Sequence, residues 1–120
     1  EPYHVHLYTG DGAEELRDWY ADLFSMVRRR RGSIPHTADV PGMNVSFSDA
    51  PDTVAATLGR AIDHIGFEVD GLESFVEVLE ARGVVFDVPY RVIEDVGVAI
   101  AFFTDRSGVR VELTEGLSRY

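Results

Sequence analysis

Two histidine-led strands, His4-Val5-His6-Leu7-Tyr8-Thr9 and His64-Ile65-Gly66-Phe67-Glu68-Val69, stand sixty residues apart and carry imidazoles at matching positions. An imidazole binds a divalent metal through one ring nitrogen, or moves a proton near neutral pH. Read with a period of two, the first strand puts His4, His6 and Tyr8 on one face, and the second puts His64 and Glu68 on the corresponding face. A further matched pair, residues 42–47 and 108–113, adds Asn44, Ser46 and Ser48 to the first polar face and Arg110, Glu112 and Thr114 to the second. Two imidazoles at equivalent places in a repeat, with a carboxylate from the strand that closes one copy, make a donor set that leaves coordination positions open for water, substrate or dioxygen. Iron, zinc, nickel, cobalt and manganese all accept such donors. Any one of these residues alone reads more simply as part of a solvated sheet face. Repetition is what singles out the set.

These strands need a frame, and the rest of each copy supplies one. After a one-residue offset, Asp11-Gly12-Ala13-Glu14 aligns with Asp70-Gly71-Leu72-Glu73, and both lead into helical periodicity. Asp11 with Glu14, and Asp70 with Glu73, have the spacing of an acidic capping box. Leu16, Tyr20, Leu23 and Phe24 form one apolar stripe and Leu72, Phe75, Val76 and Leu79 the other; Trp19 reads as packing beside the first, and Gly83 is placed to end the second helix. Each copy then returns to period two, so the expected order is strand, helix, three strands, twice.

In the second copy Val84–Val88, Val96–Thr104 and Gly108–Thr114 are β-rich, with a tight turn at 105–108. In the first, Met26–Arg31 and Val40 are separated by breaks at Pro35 and Pro41, which leaves His36 in a Pro-flanked surface loop. The expected fold class is α+β: one domain over residues 1–120, with a first βαβββ module at about 4–50, a surface linker at about 51–62 and a second module at about 63–116.

A chain of 120 residues, 45% hydrophobic, fits a single core. Its 11 arginines face 21 Asp and Glu for a net charge of -10, the wrong sign for nucleic acid or an anionic membrane, so a small molecule is the expected partner. The absence of cysteine and lysine excludes thiolate and Schiff-base chemistry. No apolar run approaches the roughly 20 residues of a membrane span. The chain starts at Glu1 rather than Met, which leaves room for a trimmed leader; a soluble, cytoplasmic protein is the default expectation. The block Arg28–Arg31 reads as a charged strand edge, with one alternate pair able to meet an anionic group on the polar face.

In this order and spacing, His4-Val5-His6-Leu7, the Trp19-Tyr20 helix, Ala61-Ile62-Asp63-His64-Ile65-Gly66-Phe67-Glu68-Val69, the Gly83-Val84 helix exit and residues 103–113 resemble the vicinal oxygen chelate superfamily over nearly the whole chain. That superfamily includes glyoxalase I, bleomycin-resistance proteins, methylmalonyl-CoA epimerase and the extradiol dioxygenases. The resemblance implies eight strands curled into a cup, with one divalent metal ion on its inner face held by the first strand of each module and the last strand of the second. Carried over, the ligands are His4, His64 and Glu112. His6 aligns with Gly66 rather than His64, so it reads as substrate-facing; Glu68 reads as a base or as an orienting partner, and Glu112 as both ligand and catalytic group. The family's fourth ligand position falls on Ser46, a poor metal donor, which departs from glyoxalase I and comes nearer to the dioxygenases. The implied function is a metal-dependent enzyme whose small substrate chelates the ion through adjacent oxygens, with Lewis-acid stabilisation of an enediolate or catecholate. The alternative is a non-catalytic antibiotic-sequestering protein of the bleomycin-resistance type. A homodimer is the expected assembly.

Overall fold

In the computed structural model, which describes residues 3–119, each copy of the repeat folds as strand, helix and three strands. The chain divides into two units, Glu1–Val54 and Ala55–Tyr120. The first holds β1 (His4–Thr9), α1 (Ala13–Phe24), β2 (Val27–Arg31), β3 (Ile34–Val40) and β4 (Met43–Asp49). Its sheet runs β1-β4-β3-β2, with β1 parallel to β4 and the other pairs antiparallel. The second holds β5 (His64–Glu68), α2 (Leu72–Ala81), β6 (Phe86–Ile93), β7 (Val98–Thr104), β8 (Arg110–Glu115) and a 3-10 turn at Leu117–Arg119. Its sheet repeats the plan as β5-β8-β7-β6, with β5 parallel to β8. Two four-stranded sheets and two helices make the class α+β. Among the described residues no helix is long and apolar enough to cross a membrane.

Alternation along the strands separates the core from the polar faces. Leu7, Val45 and Phe47 are buried in the first unit together with Leu16 and Tyr20 of α1, and the Tyr20 and Phe47 rings lie 5.3 Å apart. Phe67, Val111 and Leu113 are buried in the second, together with Leu72 and Leu79 of α2. Burying one such side chain contributes about 1.5–3 kcal/mol. The register then sets His4 beside Asn44, His6 beside Ser46 and Tyr8 beside Ser48, and in the other unit His64 beside Arg110, Gly66 beside Glu112 and Glu68 beside Thr114.

The helix starts depart from the capping boxes expected of Asp11/Glu14 and Asp70/Glu73. Gly12 and Gly71 occupy the N-cap positions in the left-handed region, and neither cap makes a side-chain bond. The carboxylates come instead from the strands that close each sheet: Asp49 accepts from the Ala13 N–H at 2.8 Å, and Glu115 from Gly71 and Leu72 at 3.1 and 3.0 Å. Parallel pairing explains this, because the end of the fourth strand lies beside the end of the first, where the helix begins.

Other boundaries also shift. Pro35 lies inside β3, next to the bulge between Arg29 and Arg31 where the ladder is already interrupted, so a missing N–H costs little there. His36 is accordingly a half-buried strand residue opposite Phe47, rather than part of a surface loop. Val84 and Val85 precede β6, which runs on to Ile93, and Val96 lies in the turn before β7. The turn at 105–108 forms as expected, with Asp105 Oδ1 accepting from the Ser107 and Val109 N–H groups.

Candidate functional site

His64 opens β5, and Glu112 lies one pleat further along the paired strand β8. The imidazole Nε2 is 3.1 Å from Glu112 Oε2, and its Nδ1 is 2.8 Å from Asp63 Oδ1. Asp63 Oδ1 also accepts from the Arg110 guanidinium at 3.0 Å, and its other oxygen accepts from the Gly59 backbone N–H. The Gly59 bond, then those of His64 and Arg110, hold the Asp63 carboxyl down at about 2. Arg110 lies over the Phe102 ring at 4.3 Å, and the same ring meets the His64 ring at 5.5 Å with the planes nearly perpendicular. Beside Glu112, a cavity of about 280 Å³ is lined by Gly66, Glu68, Glu112, Thr114, Leu117 and Ser118. A Cβ at Gly66 would stand 3.7 Å from Glu112 Oε2, so the absence of a side chain keeps this side of the carboxylate clear.

The donor chemistry here suits a divalent cation. A neutral imidazole has one N–H, yet both ring nitrogens of His64 face carboxylate oxygens. When Nδ1–H is given to Asp63, the Nε2 lone pair points at Glu112, and a cation or a second proton between them removes the repulsion. Donors each about 2.0–2.2 Å from one ion and roughly at right angles are themselves about 3 Å apart, close to the His64–Glu112 separation. Among the described residues no three His, Asp or Glu side chains converge as a ready metal site. His4, the remaining candidate, opens β1 in the first unit, where its ring stands edge-on to Tyr3 at 6.5 Å.

The polar face of the first unit is occupied by its own contacts. His6 Nε2 lies 2.9 Å from the Ser48 hydroxyl, and its ring stacks on Tyr8 at 4.9 Å. Ser46 is fully buried and donates to Asn44 Oδ1 at 2.9 Å; that oxygen also accepts from Arg31 at 3.0 Å, and the Asn44 amide donates to Asp39 at 2.6 Å. The position of the family's fourth ligand is thus part of a closed hydrogen-bond network. The arginine block is likewise engaged: Arg28 pairs with Asp18 and Asp22 of α1, and Arg29 with Asp39. The bond from Arg28, aided by Arg17 and opposed by desolvation, keeps the Asp18 carboxyl below its ordinary value.

Glu68 accepts from the Thr114 hydroxyl with one oxygen, and from the Gly116 and Ser118 N–H groups with the other. Desolvation raises its carboxyl, but the bonds from Thr114, Ser118 and Gly116 outweigh this and hold it below its ordinary value. It therefore ties the segment after β8 to β5. The structure brings His64 and Glu112 together, with Glu68 lining the adjoining cavity, and places His4 and His6 in the first unit. Sequence reasoning assigned no role to Asp63 or Arg110. The signals were there in the Asp-His dipeptide and in the alignment that sets Arg110 across from His64.

Fold and site together define a class of protein. The chain belongs to the Glyoxalase/Bleomycin resistance protein/Dioxygenase superfamily, whose family model matches residues 3–113. Solved structures similar to it include a glyoxalase family protein from Bacillus anthracis (TM-score 0.77, 19% identity, covering 96% of this chain and 93% of that one). The oxidase ChaP-H2 (0.77, 14%, 96% and 92%) and lactoylglutathione lyase from Agrobacterium tumefaciens (0.69, 18%, 97% and 93%) are similar as well. At these identities the likeness is one of fold. Comparison with curated protein sequences finds no match.

Proposed function

We propose that the protein is a metal-dependent enzyme of this superfamily, holding one divalent ion of iron, zinc, nickel, cobalt or manganese through His4, His64 and Glu112. Its substrate is a small molecule that chelates through two adjacent oxygens. The observation that carries this reading is the His64 imidazole set between two carboxylates, 3.1 Å from Glu112 and 2.8 Å from Asp63. Such an ion supplies Lewis acidity toward negative charge developing on the substrate oxygens. The chain's own residues do the rest. Arg110 and Phe102 support His64 from the side, and Gly66 leaves room for substrate next to Glu112. Glu68 is committed to three hydrogen bonds, so His6 is the better candidate for handling a proton. That same commitment of Glu68, with Ser46 locked to Asn44, favours a second reading: a non-catalytic protein that sequesters an antibiotic.

Elemental analysis of protein purified without chelators or a metal-affinity step separates the two, run beside His4→Ala, His6→Ala and Glu112→Ala. About one equivalent of metal, lost with His4 or Glu112 and kept without His6, is the expected result. Iron directs the substrate screen to catechols under oxygen; the other metals direct it to isomerase and lyase substrates. No metal after reconstitution refutes the enzyme reading in favour of sequestration. Light scattering of the same samples checks the expected homodimer.

A further inference from the structure

Resting on the metal-site reading above, we infer that Asp63 is a positioning residue: it fixes which nitrogen of His64 faces Glu112, and Gly59 and Arg110 fix Asp63 for that task. Asp63 immediately precedes β5, and its two oxygens receive three donors: His64 Nδ1 at 2.8 Å, Arg110 at 3.0 Å and the Gly59 N–H at 2.5 Å. A carboxylate only accepts hydrogen bonds, so a neutral His64 gives its one N–H either to Asp63 or to Glu112. Asp63, nearer at 2.8 against 3.1 Å and held in place by Arg110 and Gly59, is the better-set acceptor, which leaves the Nε2 lone pair toward Glu112. Rotation of Asp63 out of this position forfeits all three bonds at once. Arg110 is held in turn over Phe102, against which His64 also rests, so the four side chains brace one another.

Among the described residues of the first unit this device is not repeated. Tyr3 stands where Asp63 stands, and Asn44 where Arg110 stands, its amide committed to Asp39 and its oxygen to Arg31 and Ser46. The two histidines of the donor set are therefore unequal. His64 is the pre-oriented one, while among the described residues no carboxylate is seen to orient His4 in the same way.

The test compares wild type, Asp63→Asn and Asp63→Ala by nitrogen-15 NMR of the histidine rings in metal-free protein with the rings neutral, and by calorimetric titration with Co²⁺ alone. Wild type is expected to show His64 as the Nδ1–H tautomer, and Asp63→Ala to lose that preference and bind Co²⁺ about 10- to 100-fold more weakly. Asp63→Asn keeps the shape and an oxygen acceptor while offering a competing N–H donor, so it decides the same question if the alanine variant unfolds. An unchanged tautomer with an unchanged Co²⁺ affinity overturns the role of Asp63. Wild type that binds no Co²⁺ overturns the metal reading instead, and the tautomer comparison still decides for or against Asp63.

Discussion

Replacing the two carboxylates that cap the helices from a distance should produce unequal losses of stability, and the hydrogen bonds set the ratio. Asp49 makes one bond, to the Ala13 N–H at 2.8 Å, whereas Glu115 makes two, to Gly71 and Leu72 at 3.1 and 3.0 Å. Loss of a single side-chain cap costs about 1 kcal/mol, so Asp49→Ala is expected near that value and Glu115→Ala near 2 kcal/mol. At about 2.1 cal/mol/K of unfolding entropy per residue, 120 residues give about 0.25 kcal/mol/K, so the midpoints should fall by about 4 and 8 °C. Glu115→Gln keeps one acceptor oxygen without the charge and should lie between. Thermal and urea unfolding followed by far-ultraviolet circular dichroism give both numbers. An Asp49→Ala loss equal to or greater than that of Glu115→Ala would refute the reasoning, as would two losses below about 0.5 kcal/mol, the usual scatter of surface substitutions.

Three further outcomes follow from the site. Gly66 lies outside the left-handed region and its Cβ position is clear to 3.7 Å, so Gly66→Ala should fold and bind metal as wild type does. Gly66→Leu should intrude into the cavity of about 280 Å³ beside Glu112 and weaken substrate binding while metal stays at one equivalent; unchanged substrate affinity would exclude the cavity as the substrate's place. Because the Glu68 carboxyl is lowered in the folded protein, its contribution is complete above its ordinary value near 4.5 and is lost as pH falls through the lowered one. The protection of the Gly116 and Ser118 amides, corrected for the intrinsic exchange rate, should fall in wild type as pH drops below 4.5 through the lowered value, and in Glu68→Gln should already be lost at neutral pH. Ser46→Glu, which introduces a carboxylate at the family's fourth ligand position, should cost about 3 kcal/mol or more, because the charge enters a fully buried network built on Asn44. Tighter metal binding in a fully stable Ser46→Glu would contradict that.

The repeat and the strand alternation were enough to read the two βαβββ copies and the inward-facing side chains, since both are carried by residues close together in the chain. What escaped was long-range. The capping carboxylates Asp49 and Glu115 lie 36 and 43 residues from Ala13 and Leu72, the helix residues they bind, so the nearby Asp11 and Asp70 were the natural candidates. Asn44 and Ser46 read as part of a solvated face because their burial depends on Arg31 and Asp39 arriving from neighbouring strands. The Pro35 break failed for a related reason: the bulge that makes room for it belongs to β2. His64 and Glu112 were legible as a pair because register alone brings β5 and β8 together, whereas the support from Asp63 depends on the chain bending at Gly59.

The strand that closes each unit also determines when that unit can be made. In its own sheet β1 has β4 as its neighbour, and β4 ends in Asp49, the residue that binds the start of α1. A nascent chain that has emerged only as far as Val40 therefore has neither a partner for its first strand nor the carboxylate for its first helix. Both arrive together with the seven residues of β4. Synthesis of each half is thus expected to end in one late, cooperative locking step: in a series of ribosome-stalled chains of increasing length, the first half should remain sensitive to protease until Asp49 has left the exit tunnel and become resistant once it has.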